Sequence, residues 1–422
     1  MANSFSKEER VAFEDILEGF NDALVLSRNV SVYKTDQSMM ERANNVIWRP
    51  QPYIAQSFSG MDQTLNFTDF TQLSVPATIG FQRSVPWILD ALELRDALQE
   101  GRLGDSAKQK LASDINVAIM NTAASLSSLV VSVPTAAGDY DDVALCDTVM
   151  NEQGVQSFDR YLALCSRDYN AMAGNLAVST RSFGNKISDE AYRRGFVGQV
   201  ASFDTYKFDY ANRIRGNTNT TTMSTLVGAS NFFVPKATDV AVTGETSNVD
   251  NRFQTITVTS TAQFAAGDAI TISGVNACHH ITKGDTGQLK SFRVVSVASA
   301  TTMVITPPLI SNQGGSDAEA QYQNVVVTAN AAATVSHLNQ VAAPVNVFWQ
   351  KDALEILPGR YAVPSDSGAA VMRASTDQGI ELVMQKQYDI NTMKTKYRLD
   401  TLFGVVNKQP EMSGILIFGQ TP

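Results

Sequence analysis

Thr255-Ile256-Thr257-Val258-Thr259, Asp268-Ala269-Ile270-Thr271-Ile272-Ser273, Phe292-Arg293-Val294-Val295-Ser296-Val297 and Thr302-Met303-Val304-Ile305-Thr306 decide how this chain is read. Each alternates at period two, the pattern of a strand with one face buried and the other wet. Gly267-Asp268, Gly274 and Pro307-Pro308 supply turns among them. Short strands at this spacing, with few helical signals, predict a small antiparallel barrel or sandwich. The Thr/Val/Ala/Gly-rich character begins near Thr218 and lasts to about Gln340, and a different pattern resumes at Pro344-Val345-Asn346-Val347-Phe348-Trp349. That layout is one domain inserted inside another, and it makes the two outer halves partners in space.

Toward the N-terminus the period changes to that of a helix. Phe13, Ile16, Leu17, Phe20 and Leu24 recur at three- and four-residue steps and mark one apolar stripe, with Ser6 and Glu9 as a capping box. The other faces carry Glu8, Glu9, Glu14, Asp15, Glu18 and Asp22 against only Lys7 and Arg10. Two readings stand side by side: a solvated acidic face, or a docking surface for a basic partner. From Ser27 to Pro86 the helical period is lost. Leu65 to Phe70 and Gln72 to Val75 alternate as two strands of an extended hairpin, punctuated by Pro50, Pro52 and Pro76. An arm and hairpin this long, before any clear core element, suggests a chain that reaches toward neighbours.

A short helix is expected over Trp87 to Gln99 and the longest from Asp105 to Val130, starting at Gly104-Asp105 and ended by Pro134. At ~1.5 Å per residue it would span nearly ~40 Å, a length that suits a structural spine. Further helices are expected at Asp139 to Asn151, Ser157 to Leu164 and Asp189 to Arg194. Beyond the insertion, Ile380 to Met384 and Lys396 to Gly404 read as strands.

Composition narrows the function. At 422 residues, two or three domains are expected. Charged residues make up 18% of the chain, below the roughly 25% usual for soluble domains, which suggests surface covered by partners. A net charge of -9 argues against gripping nucleic acid. An acidic wall can still enclose DNA. Cys146, Cys165 and Cys278 are odd in number and lack CxxC spacing, so they read as buried core residues in a reducing compartment. No signal-peptide pattern and no apolar stretch long enough to span a bilayer is present, which points to the cytosol and no membrane partner.

The chemistry-bearing motifs are sparse. GxxxxGK[ST] and GxSxG are absent. Cys278-His279-His280 with Asp285 is the one ligand-like cluster, but adjacent strand residues diverge, so these read as loop or strand-end residues. Asp141-Asp142 and Asp189-Glu190 suit helix starts, where the macrodipole favours acids. The sequons at Asn29, Asn66 and Asn219 are short enough to arise by chance. No catalytic, cofactor-binding or metal-ligating residue is assigned, and the chain is read as not an enzyme. A competing class is a phage or bacterial surface protein whose β domain recognises a receptor or carbohydrate. It needs aromatic platforms, and Phe232, Phe233, Phe253, Phe264, Phe292 and Tyr322 read better as core.

Asn45-Val46-Ile47-Trp48-Arg49-Pro50, Asp189-Glu190-Ala191-Tyr192-Arg193, Asn248-Val249-Asp250-Asn251-Arg252-Phe253 and Asn346-Val347-Phe348-Trp349, in this order and spacing, resemble the major coat proteins of short-tailed, lambdoid double-stranded DNA bacteriophages. The subgroup resembled carries an inserted β-barrel in the capsid fold first seen in phage Hong Kong ninety-seven. The resemblance implies an α+β fold with an N-terminal arm (1–49), an extended hairpin loop (50–86) and a peripheral domain with a long spine helix (87–135). It further implies the first part of an axial domain (136–217), the inserted barrel (218–340) and returning axial and peripheral strands (341–422).

It also implies self-assembly with scaffolding protein into an icosahedral procapsid of hexamers and pentamers. That shell would expand on DNA packaging and enclose double-stranded DNA without sequence-specific binding. A portal protein would be a further partner, and assembly would take place in the host cytoplasm. Glu14, Asp15 and Glu18 occupy the acidic positions that meet a basic scaffold helix. Lys236, Asp239 and Glu245, in a short loop before Asn248, are candidates for a contact between capsomers. No covalent crosslinking is implied, so large noncovalent interfaces must supply the strength.

Overall fold

The computed structural model describes residues 5, 7–33, 46–52, 54–64, 66–67, 70–90, 97–138, 140–178, 197–208, 212–217, 224–228, 231–363 and 368–420. They form two compact units: 1–47, 76–119 and 354–406 in the first; 48–75, 120–353 and 407–422 in the second. The motif Asp189 to Arg193 and the helix expected there lie outside the described residues.

The first unit is built on a six-stranded sheet in the order Ser31–Val32, Leu354–Pro358, Lys394–Asn407, Glu381–Asp389, Ala370–Ser375, with Phe81–Asp90 also on Lys394–Asn407. Trp87, expected to begin a helix, is instead inside Phe81–Asp90, paired antiparallel from Phe81↔Phe403 to Asp90↔Lys394. Phe81, Val85, Trp87 and Leu89 fall at period two, and Trp87 stacks on Tyr397 with centroids 5.7 Å apart. Among the described residues this strand has a partner on one side only, and Pro86 is tolerated there because an N–H missing from the unpaired side costs no ladder bond. The N-terminal helix runs Lys7–Ala23 and buries Phe13, Ile16 and Phe20. The long helix is Ala97–Leu126, about 45 Å by its 30 residues. It passes through Gly104 instead of starting there: a Cβ at that position would come within 2.6 Å of Ile16 Cδ1, so a hydrogen lets the N-terminal helix approach.

The second unit contains a six-stranded sheet in the order Leu129–Ser132, Ser413–Ile417, Asn346–Gln350, Arg160–Cys165, Phe203–Phe208, Gln199–Val200. The helix expected over Ser157 to Leu164 is here the strand Arg160–Cys165, buried at every position. A continuous apolar run covered on both faces looks the same as a buried helix by periodicity alone. Helices Tyr140–Glu152 and Ser166–Val178 belong to this layer, and Leu162, Leu164, Met150, Tyr169, Phe203 and Phe348 share one core. The strand expected at Gln72 to Val75 starts at Ser74 and runs to Thr78. It pairs with Val46–Pro50, so the residues between them form the excursion of the hairpin.

The inserted domain is a closed antiparallel barrel. Its strands run in space as Ser224–Thr225, Thr334–His337, Ala269–Cys278, Asp285–Val297, Thr302–Thr306, Gln254–Thr257. The circle closes through the Leu226↔Val258 bridge, with Val227 N donating to Thr257 O at 2.9 Å and Thr259 N to Thr225 O at 2.9 Å. Closure removes the unpaired edges that make small sheets aggregation-prone. Ile256, Val258, Ile270, Ile272, Phe292, Val294, Met303, Ile305 and Val335 fill the interior, and all but Val335 are apolar members of the alternating runs. Phe292→Ala should therefore cost about 3–5 kcal/mol. Hydrogen exchange of the full chain should speed up across the barrel strands, and unchanged protection there would contradict this packing.

Candidate assembly surfaces

Glu9 separates the inside of the N-terminal helix from its outside. The sequence placed it on the acidic face as a capping residue; in the structure its carboxylate is buried, accepting from Lys386 Nζ and, at 2.9 Å, from Tyr397 Oη. Lys386 also lies over the Tyr397 ring, 5.6 Å from its centroid. A carboxylate with an ammonium and a phenol as partners offsets its desolvation and pins the helix to the sheet. Glu14, Asp15 and Glu18 are exposed, and no ion pair among the described residues engages them. Val11, 58% exposed, shares their helical spacing. The three acids and one apolar side chain form an outward stripe.

The excursion between Pro50 and Ser74 has a tied base and a bare tip. At the base, Gln51 N donates to Leu73 O at 2.9 Å, Tyr322 Oη donates to Thr71 O at 2.9 Å and Gln51 Nε2 donates to Lys408 O at 2.9 Å. Leu73, Ile310 and Tyr322 bury one another, with Ile54 and Phe233 against them. Toward the tip, Phe58, Met61, Phe67 and Phe70 are exposed, Met61 completely. Large apolar side chains clustered on one segment signal an interaction surface.

Lys236, Asp239 and Glu245 are brought together on one exposed ribbon, Thr238–Val240 paired with Thr246–Asn248. Asn251 holds the root: its Oδ1 accepts from Lys236 N at 2.9 Å and its Nδ2 donates to Lys236 O at 2.8 Å. The Lys236–Asp239 pair, 3.8 Å apart and open to water, is worth little to the fold. Val240 and Val242 complete an exposed tip.

Sequence reasoning missed the group that holds the barrel to its sheet. Lys290, 1% exposed, sits on a barrel strand and donates to Glu411 Oε1 at 2.5 Å and Gln153 Oε1 at 2.8 Å. His280 Nε2 is 3.3 Å from Glu411 Oε2, and burial pushes its pKa down to about 4. Nearby, Ser291 Oγ donates to Ser128 O at 2.7 Å and accepts from Val130 N at 3.2 Å. Arg252 forks onto Asp250 and donates to Asn407 O at 2.9 Å. Partners more than a hundred residues apart leave no local signal.

The ligand-like cluster comes apart in space. His279 Nδ1 accepts from Ile281 N and Thr282 N in a turn, His280 joins the Glu411 group, and Cys278 is buried at a strand end. Among the described residues no group of three or more His, Cys, Asp or Glu side chains could hold a metal ion. Burial raises the thiol pKa of Cys146, of Cys165 to about 11, and of Cys278, the reverse of an activated nucleophile. Phe264, Phe292 and Tyr322 are buried, so they offer no platform for a carbohydrate or receptor.

The described features that stand out are exposed surfaces: an acidic stripe, an apolar tip and a charged ribbon. The family model described as P22 coat protein, gene protein 5, matches residues 1–419, and the chain belongs to that family. It is a major capsid protein: a structural component of the phage virion that builds an icosahedral shell. Among solved structures the chain is similar to the mature capsid of bacteriophage PhiM1, at 10% identity over 100% of this chain and 89% of that one, TM-score 0.45. It is also similar to Mycobacterium phage Che8, at 9% identity over 94% and 91%, TM-score 0.44. The CUS-3 coat protein I-domain is 36% identical over 29% of this chain and 99% of that one, TM-score 0.23.

Two outcomes follow from the Lys290 group. Lys290→Met leaves Glu411 buried without its ammonium and should cost about 3–5 kcal/mol, read from the denaturation midpoint of the full chain. His280, with its folded pKa lowered to about 4 from the usual 6.5, binds fewer protons folded than unfolded. Stability is then complete above the unfolded value and falls by up to about 3 kcal/mol as pH drops toward the folded one. Denaturant titrations across that window should show the slope in the wild type and a shallower one in His280→Gln.

Proposed function

We propose that this capsid protein co-assembles with a scaffolding protein into a procapsid of hexamers and pentamers in the host cytoplasm. The shell then expands as double-stranded DNA is packaged, with a portal protein as a further partner. Scaffold docks on the stripe Glu14, Asp15 and Glu18. The observation that carries this is the division of labour on one helix. Glu9 spends its charge inward on Lys386 and Tyr397, while the three acids face out with no described ion pair. A fixed helix presenting unneutralised carboxylates at i, i+1 and i+4 fits a basic helix by charge complementarity.

The same reading gives the exposed tip around Phe58, Met61, Phe67 and Phe70 to a neighbouring subunit, and the ribbon bearing Lys236, Asp239 and Glu245 to the next capsomer. Residues 1–49 act as the arm, 50–86 as the extended loop, 87–135 as the peripheral domain with its spine, and 136–217 with 341–422 as the axial domain and returning strands around the inserted 218–340. The acidic chain would enclose DNA without gripping it. The double reversal Glu14→Lys with Glu18→Lys should leave the unfolding free energy within about 1 kcal/mol of wild type, since exposed substitutions act weakly. Scaffold-directed shells should disappear in sedimentation and negative-stain microscopy. Normal shells from the double variant would end the docking assignment.

A further inference from the structure

The chain enters and leaves the barrel through two strands, Arg213 to Asn217 leading in and His337 to Pro344 leading out. They run side by side: Ile214 pairs with Ala343 and Arg213 with Pro344, and Asn217 N donates to Asn339 O at 2.9 Å. Gly216 is required by the close approach, since a Cβ there would meet Ala342 N at 2.6 Å. A two-stranded ribbon by itself is marginally stable and does not fix the pose of what it carries.

Both strands converge on one carboxylate. Asp268 is 0% exposed and closes the turn Gln263 to Asp268, just before the barrel strand Ala269–Cys278. Its Oδ1 accepts from Arg215 Nε at 2.7 Å and from Asn339 Nδ2 at 3.1 Å; its Oδ2 accepts from Arg215 Nη2 and, at 2.9 Å, from Ala265 N. The partners are themselves cross-linked. Asn339 Nδ2 donates to Arg215 O at 2.9 Å, Asn339 Oδ1 accepts from Ala269 N at 3.1 Å, and Arg215 Nη2 donates to Gln263 O at 2.7 Å. His337, stacked on Phe264 at 4.6 Å between centroids, places Nδ1 3.9 Å from Asp268.

We infer that Asp268 is a positioning residue of the inserted barrel: it binds the incoming and outgoing strands to one barrel turn and so, together with the Lys290 group at the other contact, sets the barrel's pose on the sheet strand Asn346–Gln350. A dehydrated carboxylate with four donors loses heavily in any swivelled arrangement that separates them, so one pose is selected. Its four donors come from Arg215, Asn339 and Ala265, none of them in the apolar interior, so the group acts on orientation while the barrel's own packing supplies its stability. A shell subunit needs this, because exposed features such as the Thr238 to Asn248 ribbon meet neighbours only if the barrel points one way.

The test is hydrogen exchange on the full-length, unassembled chain. In Asp268→Asn, which keeps the shape and removes the charge, segments 212–217 and 338–344 should exchange about tenfold faster while barrel strands 269–278 and 285–297 keep wild-type protection. Arg215→Gln, a milder change at a half-exposed side chain, should give the same pattern even if Asp268→Asn folds poorly, and the double variant should add little. Unchanged linker exchange, barrel strands that lose protection together with the linkers, or additive effects would each overturn the assignment. Particles assembled from Asp268→Asn subunits should be irregular by electron microscopy; regular wild-type shells would refute the link from barrel pose to shell geometry.

Discussion

An ammonium group that is 1% exposed cannot stand alone, and the second unit is organised around giving Lys290 its company. Glu411 and Gln153 reach it from two separate segments of the surrounding sheet domain, one from the turn before the last strand and one from just past the end of helix Tyr140–Glu152. The barrel strand that carries Lys290 is thereby held against Leu129–Ser132 by the neighbouring Ser291, whose hydroxyl both donates and accepts across the gap. An apolar contact of equal area would have held the barrel with less specificity. Charge and hydrogen-bond geometry allow one seating, and a missing partner would leave a bare ion inside the protein.

Much of this architecture is written locally. The barrel strands could be read because each keeps one face dry, so Ile270, Ile272, Phe292, Val294, Met303 and Ile305 mark its interior in the sequence as they do in space. The N-terminal helix was legible for the same reason at another period. Legibility failed where burial is two-sided, as in Arg160–Cys165, because a strand covered on both faces carries no alternation. It failed again over Phe81–Asp90, where Pro86 suggested a boundary and only an edge position explains its place in a strand. The family was legible through collinear motifs, and the exposed stripe Glu14, Asp15 and Glu18 through its spacing. The inward turn of Glu9 and the meeting of Lys290 with Glu411 were not, because nothing near either residue in sequence records a partner more than a hundred positions away.

The surfaces themselves divide by chemistry. The acidic stripe rides on a helix pinned by a buried ion pair, so its charges are presented in fixed geometry. The aromatic tip near Met61 is tied at its base by Leu73, Ile54 and the Thr71 hydrogen bonds, with turns at Asp62 and Gln63 among its described residues. A pinned charged element suits recognition of a defined partner, while an exposed apolar one suits burial against a neighbour.

The side-by-side strands at the foot of the barrel also bear on how the chain finds its fold. Strand Asn346–Gln350 must pair with Arg160–Cys165 across the whole insertion, a contact of long sequence separation. If the barrel forms first, its closed circle brings Ile214 next to Ala343, and about 130 residues of loop shrink to a handful before that pairing is attempted. The loop closed by the Ala163–Val347 pairing then shortens from about 180 residues to about 55, which on loop-closure entropy removes about 1 kcal/mol from the cost of joining the outer strands. The insertion is then a nucleus that shortens the search for its host domain. Closed and free of open edges, it can wait on the ribosome-bound or newly released chain without recruiting strands from other copies.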